Sequence, residues 1–163
     1  GDGLFIIARG TVKVTVGNFL VDILGAGSVI GEMAVLMGVP RTATVTADSP
    51  VTALWLTSLG MREIMKSSNV LEEQLWKTAG TRFCENFLGK LEPYQQWTQI
   101  DFRRWLSEGK VTAVKNGDTI SLTDKIAVII SGQVSHKGMT IASPAMIKSG
   151  EVKFINEGRV WVG

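Results

Sequence analysis

One cysteine, one histidine and one tyrosine among 163 residues remove several chemistries at the outset. A lone Cys84 cannot close an intramolecular disulfide, and such sparing use of cysteine fits a reducing compartment. Cys84 and His136 together fall short of the ligand set of a zinc site, so no metal is expected. Charge of one sign is scarce too: 17 Lys and Arg against 15 Asp and Glu leave a formal net charge of +2, and no basic run forms a nucleic-acid arm. No nucleic-acid partner is expected. Apolar runs stay well below the roughly 18 residues of a membrane-spanning helix, and residues 1–10 lack the charged, apolar and small-residue order of a signal peptide. No nucleophile and base, and no pair of carboxylates, stand out as catalytic machinery, so an enzyme is not expected.

What is present is ordinary globular material, 45% hydrophobic and 20% charged, enough for one sizeable domain or two small ones. From Asp2 to about Thr57 short β-type runs alternate with turns: "LFIIARGTVKVTV", "FLVDILGAG", "RTATVTA" and "VTALWLT". Alternation from Thr11 to Val16 sends the valines to one face. Between "SVIG" and "VPRT" the run Glu32 to Met37 is rich in helix formers, with Gly38 and Pro40 as stop signals, and predicts one short helix interrupting the sheet. From Ser58 to about Leu91 the period becomes helical and predicts two helices. Gly80 interrupts the second of them, as a weak point able to move or as a tolerated surface glycine. After Pro93, "YQQWTQIDFRRWLSEG" predicts a helix ended by Gly109, and the remainder returns to β, with a tight turn at Asn116-Gly117.

Placing Gly10 over Gly132 lays Leu4 to Val12 over Ile126 to Val134 and Asp2 over Asp124. Both stretches read as strand, turn and strand, by repetition or by chance similarity of two hairpins. The second copy is preceded by a helix, a strand and the "NGDTI" turn, which the first lacks. The expectation is a first domain over 1–91 without its first helix and strands, and a second over 92–163. The fold class is mainly β with α: a jelly-roll-like β-roll, N-terminally truncated, with lid helices, then a smaller β-rich roll.

The stretch "GEMAVLMGVPRTATVTA" (31–47) sets Glu32 and Arg41 nine positions apart in apolar, small-residue surroundings. Burying either alone would cost several kcal/mol, at least ~3, so each needs a partner: one another, in a structural ion pair, or a ligand. The combination of a Gly-Glu pair opening a short helix, an Arg-Thr-Ala ten residues after that glycine, an outgoing strand, strands before and helices after resembles the phosphate-binding cassette of cyclic-nucleotide-binding domains. In nucleotide-gated and hyperpolarization-activated channels the segment has the same length.

The resemblance implies a cyclic nucleotide as ligand, cAMP ahead of cGMP, and no other cofactor. Arg41 would meet the phosphate through a charge-assisted fork that Lys does not reproduce. The start of the short helix would offer N–H groups to the same anion. Glu32 would accept from the ribose hydroxyl, Thr42 would donate to the phosphate or touch the purine, and Gly31 would allow close backbone approach. Ile30, Met33, Ala34 and Ala43 complete the expected pocket, with Leu24 on its apolar wall. Arg82 would cap the purine from the lid helix or stand as a solvated arginine. Glu85 and Asn86 depart from the channel pattern one turn later, and Phe83 or Phe87 would then stack on the base instead. The second roll keeps "SGEVKF" (149–154) as a strand and lacks a cassette, so it is expected to serve interactions. The order of the two domains is most similar to the cytosolic C-terminal region of sperm sodium/proton exchangers. That resemblance implies a regulatory module at the cytoplasmic side of the plasma membrane of a sperm flagellum, gating the transporter and voltage-sensing parts of the same polypeptide in a homodimeric parent. A cyclic-nucleotide-gated or hyperpolarization-activated channel, or a vestigial roll used as a scaffold, are the alternatives.

Overall fold

The computed structural model describes residues 2–163. The chain divides between Leu75 and Trp76 into two compact units. The division falls within a helix, whereas the expected boundary near 91 assigns that whole helix to the first domain.

The first unit begins with β1 (Gly3–Arg9), β2 (Val12–Val16), β3 (Phe19–Leu24) and the short β4 (Val29–Ile30). Then come α1 (Glu32–Met37), β5 (Thr44–Ala47), β6 (Thr52–Thr57) and α2 (Ser58–Ser67). Two three-stranded antiparallel sheets result, in the orders β4-β1-β6 and β3-β2-β5. Alternation in β2 works as expected at its start, where Val12 is buried and Lys13 exposed, but fails at its end, where Val16 is exposed. The helix α1 stops at Gly38, whose left-handed backbone (φ 67) returns its N–H to the Ala34 carbonyl. The cap of α2 is Thr57, whose hydroxyl accepts from the Gly60 N–H at 3.1 Å. β1 meets the helices: Leu4, Val35, Met61 and Leu75 form a core cluster, flanked by Ile6, Val29, Leu36 and Leu56.

A long helix, α3 (Asn69–Leu88), crosses the division; its continuation from Trp76 belongs to the second unit. After a 3-10 turn at Tyr94–Gln96 comes α4 (Gln99–Glu108), capped by the Thr98 side chain, which accepts from the Asp101 N–H. Eight strands follow: β7 (Lys110–Val114), β8 (Thr119–Leu122), β9 (Ala127–Ser131), β10 (Gln133–His136), β11 (Met139–Ala142), β12 (Ala145–Ile147), β13 (Gly150–Phe154) and β14 (Gly158–Val162). They pair as two four-stranded sheets, β12-β9-β14-β7 and β11-β10-β13-β8. Their facing residues, among them Val114, Leu122, Ile129, Val134, Val152, Phe154 and Val160, close a continuous core. Trp161 lies fully buried beside Trp105, with ring centroids 5.0 Å apart, and its indole N–H donates to the Leu106 carbonyl at 3.2 Å. Burial also raises the thiol pKa of Cys84 well above its ordinary range, so the group stays protonated.

The repeat seen in the sequence extends to the strand register. In the first unit the β1·β6 ladder shifts between Ile7 and Arg9, passing over Ala8. In the second, β9·β14 jumps from Ile129 to Ser131, passing over Ile130, which occupies the matching place. Gly10 and Gly132 both hold positive φ, 87 and 94, and a Cβ on either would strike a carbonyl oxygen, that of Pro50 or that of Glu157. Two hairpins alike by chance would not share a bulge and the same close approach.

Gly80 answers differently from either expectation. It is buried, and a Cβ there would stand 2.8 Å from Val111 Cγ2 and 3.0 Å from Ile130 Cδ1. The glycine therefore lets α3 lie close against β7 and β9. A Gly80→Ala change gains about 1 kcal/mol of helix propensity but overpacks a site where such insertions cost ~1–3 kcal/mol. The variant is expected to unfold at lower urea than the parent; a higher midpoint would return Gly80 to the surface reading.

Candidate functional site

The ladder matches locate what the first roll has and the second lacks. Ile30 opposes Phe5 as Ile147 opposes Ala127, and Ala47 opposes Val12 as Phe154 opposes Val134. Between these anchors the first roll has sixteen residues (31–46) and the second has six (148–153). The difference of ten is α1 with its flanks.

Gly31 opens this insertion with φ 86, a left-handed conformation that a side chain rarely adopts. A Cβ at Gly31 would also fall 1.9 Å from Arg41 Nη1, so a side chain there would displace the guanidinium from the Gly31 carbonyl. Arg41 donates from Nη1 to the Gly31 carbonyl at 2.7 Å and from Nη2 to the Gly3 carbonyl on β1. The guanidinium thus ties both ends of the insertion to the sheet. These two bonds use two of its five N–H groups. Glu32 is the buried charged residue of the unit, 1% exposed, at the first position of α1. The helical ladder starts with Val35 N–H to the Gly31 carbonyl, so the first-turn N–H groups precede it.

The other expected residues distribute as follows. Ala34 is buried, Ile30, Met33 and Ala43 are half-buried, and Thr42 is exposed immediately after Arg41. Leu24, at the end of β3, is half-buried. Arg82 is half-buried on α3 and belongs to the second unit, while the rest lie in the first. Phe83 and Phe87 stack on each other with centroids 6.1 Å apart. Glu85 accepts from Arg103 Nε on α4 at 2.6 Å, within the second unit. Its departure from the channel pattern therefore has a structural partner, which the sequence did not suggest because Arg103 lies on a different helix.

The structure is mainly β with a few helices, a β-roll in each unit, and the first roll carries a polar insertion built around one guanidinium and one buried carboxylate. Residues 1–68 match the family model described as the cyclic nucleotide-binding domain. A cyclic nucleotide-gated potassium channel of Rhizobium etli is 40% identical over 79 residues, which cover 48% of this chain and 22% of the channel. Its counterpart in Mesorhizobium japonicum is 39% identical over 79 residues with the same coverage. The matched stretch is thus about a fifth of these relatives. Among solved structures, cAMP-bound PfPKA-R (141-441) is 20% identical, with TM-score 0.41, covering 99% of this chain and 63% of that one. The Thermus thermophilus catabolite activator protein is 23% identical, with TM-score 0.49, covering 55% and 45%. Both curated relatives are channels rather than sodium/proton exchangers.

Proposed function

We propose that the first unit is a cyclic-nucleotide sensor that regulates a membrane cation channel from its cytoplasmic side. The observation that carries it is the Arg41 guanidinium seated on Gly31 at the mouth of an insertion that also buries Glu32. The remaining N–H groups of Arg41 suit a phosphodiester anion, and an ionised Glu32, acceptor-only, suits a ribose 2′-hydroxyl. Thr42 stands beside Arg41 to donate to the same phosphate. The match of residues 1–68 to the cyclic nucleotide-binding family and the two channel relatives support this reading. Binding would act by stabilising one of two states of the parent protein, a regulatory role without chemistry on the ligand. cAMP is the proposed ligand ahead of cGMP, and a homo-oligomeric parent follows the channel reading.

Calorimetric titration of cAMP and then cGMP into the protein tests this. Saturable binding of one nucleotide to one site is expected. Glu32→Gln is expected to weaken cAMP about 10- to 100-fold, since hydrogen bonds to charged groups contribute ~1.5–3 kcal/mol. The same change should matter little for 2′-deoxy-cAMP, which lacks the hydroxyl. A folded protein that takes up neither nucleotide leaves both rolls as interaction modules.

A further inference from the structure

In the second unit α3 lies against one face of the β7-β14-β9 strands, and the contact changes within a turn. At Gly80 it is tight and apolar, on Val111, which opposes Trp161 in the ladder. Trp76 stands one helical turn back, about 6 Å along the axis, over the next rung on that face, about 7 Å along the strands. That rung is Ala113, Arg159 and Ser131, opposed across β7, β14 and β9. The small side chains of Ala113 and Ser131 leave space on either side of the Arg159 stem. A cleft of about 330 Å³ opens there, walled by the Trp76 ring and reached by Lys115 and Glu157. Every residue that lines it belongs to the second unit. Sites for small ligands begin at roughly 300 Å³.

Packing alone does not account for this lining. The Arg159 guanidinium lies over the Trp76 ring, 4.8 Å from its centroid, and fixes the indole as a wall. Lys115 and Glu157 sit at the mouth, just past the last rung of Val114 with Gly158, where β7 and β14 part. The backbone around both is held in place. The Lys115 N–H donates to the Asp118 carboxylate at 2.8 Å, and Asn156, next to Glu157, accepts from the Gln133 N–H at 2.7 Å. The side chains of Lys115 and Glu157 are exposed and, among the described residues, unpaired. An ammonium and a carboxylate thus flank one aromatic-walled cleft without neutralising each other.

We propose that this cleft is a binding site for a free α-amino acid with an apolar or aromatic side chain. Such a ligand carries both charges on one carbon. Its carboxylate accepts from the Lys115 ammonium while its own ammonium donates to Glu157. The ligand side chain then lies along the Trp76 ring, beside the Arg159 stem and Ser131. A plain anion would leave Glu157 without a partner, and a plain cation would leave Lys115 without one. The inference concerns the second unit alone and stands whether or not the first binds a nucleotide.

Amide chemical shifts followed by NMR test it, with each of the common L-amino acids added in turn at millimolar concentration to the 163-residue chain. Saturable shifts are expected at Lys115, Ser131, Glu157 and the Trp76 indole N–H for at least one apolar or aromatic amino acid. The carboxamide and the des-amino acid of that ligand each lack one charge and should bind at least about 10-fold more weakly. Lys115→Gln and Glu157→Gln should weaken it by a similar factor while the melting curve stays that of the parent. Absence of saturable shifts with every amino acid overturns the proposal. So does a des-amino acid that binds as tightly as its parent, because the cleft would then be a plain anion site. Undiminished binding in both variants overturns it as well.

Discussion

Arg41→Glu is expected to weaken cAMP binding by about 100-fold, since charge-assisted hydrogen bonds contribute ~1.5–3 kcal/mol and the new carboxylate repels the phosphate. Two contributions separate. One is the lost fork toward the ligand; the other is the lost donation to the Gly31 and Gly3 carbonyls, which hold the insertion to β1 before any ligand arrives. The second contribution exists in the unliganded protein, so the variant's thermal midpoint should fall by a few degrees with no nucleotide present. Arg41→Lys keeps the charge but has no planar fork, and it should fall between the parent and the glutamate variant in both measurements. Calorimetry at constant salt reads the affinity and a melting curve reads the rest. Unchanged affinity in the glutamate variant would remove the phosphate role from Arg41, whatever the melting curve shows.

Trp161→Ala is expected to cost the second unit about 3–5 kcal/mol, the usual loss on truncating a buried Trp or Phe. That is a large part of the ~5–15 kcal/mol that holds an ordinary domain folded. The ring fills its place completely: a Cβ on Gly109 would lie 2.3 Å from Trp161 Cε2, and one on Gly163 would lie 2.4 Å from Cη2. Its removal leaves a cavity beside Trp105 and takes the indole donor from the Leu106 carbonyl. Urea unfolding followed by near-ultraviolet circular dichroism measures the loss. A cost below about 1 kcal/mol would mean that the neighbouring aromatic residues collapse into the space.

Local signals were legible and remote ones were not. Gly31, Glu32, Gly38 and Arg41 lie within eleven positions of one another, so their order alone predicted a short helix with an acid at its start and an arginine after its end. The alignment of Gly10 with Gly132 was legible because a positive-φ turn after an apolar strand leaves its mark within a few residues. The role of Gly80 was hidden because it depends on Val111 and Ile130, which reach it only through the tertiary fold. The Glu85 to Arg103 pair was hidden for the same reason. The division at Leu75 also left no mark, because the apolar period of α3 runs through it without a break. The contact of Arg41 with the Gly3 carbonyl spans almost the whole first roll and was likewise beyond reach of spacing arguments.

The ten-residue difference between the rolls gives the chain a second copy of the frame without the insertion. Six residues, 148–153, carry the second roll from β12 into β13 with the neighbouring registers intact, so the frame closes without the polar insertion. On the proposed reading, recognition is an interchangeable part mounted on a frame that the second roll builds without it. It can be altered, lost or regained at that one junction while the strands on either side keep their partners.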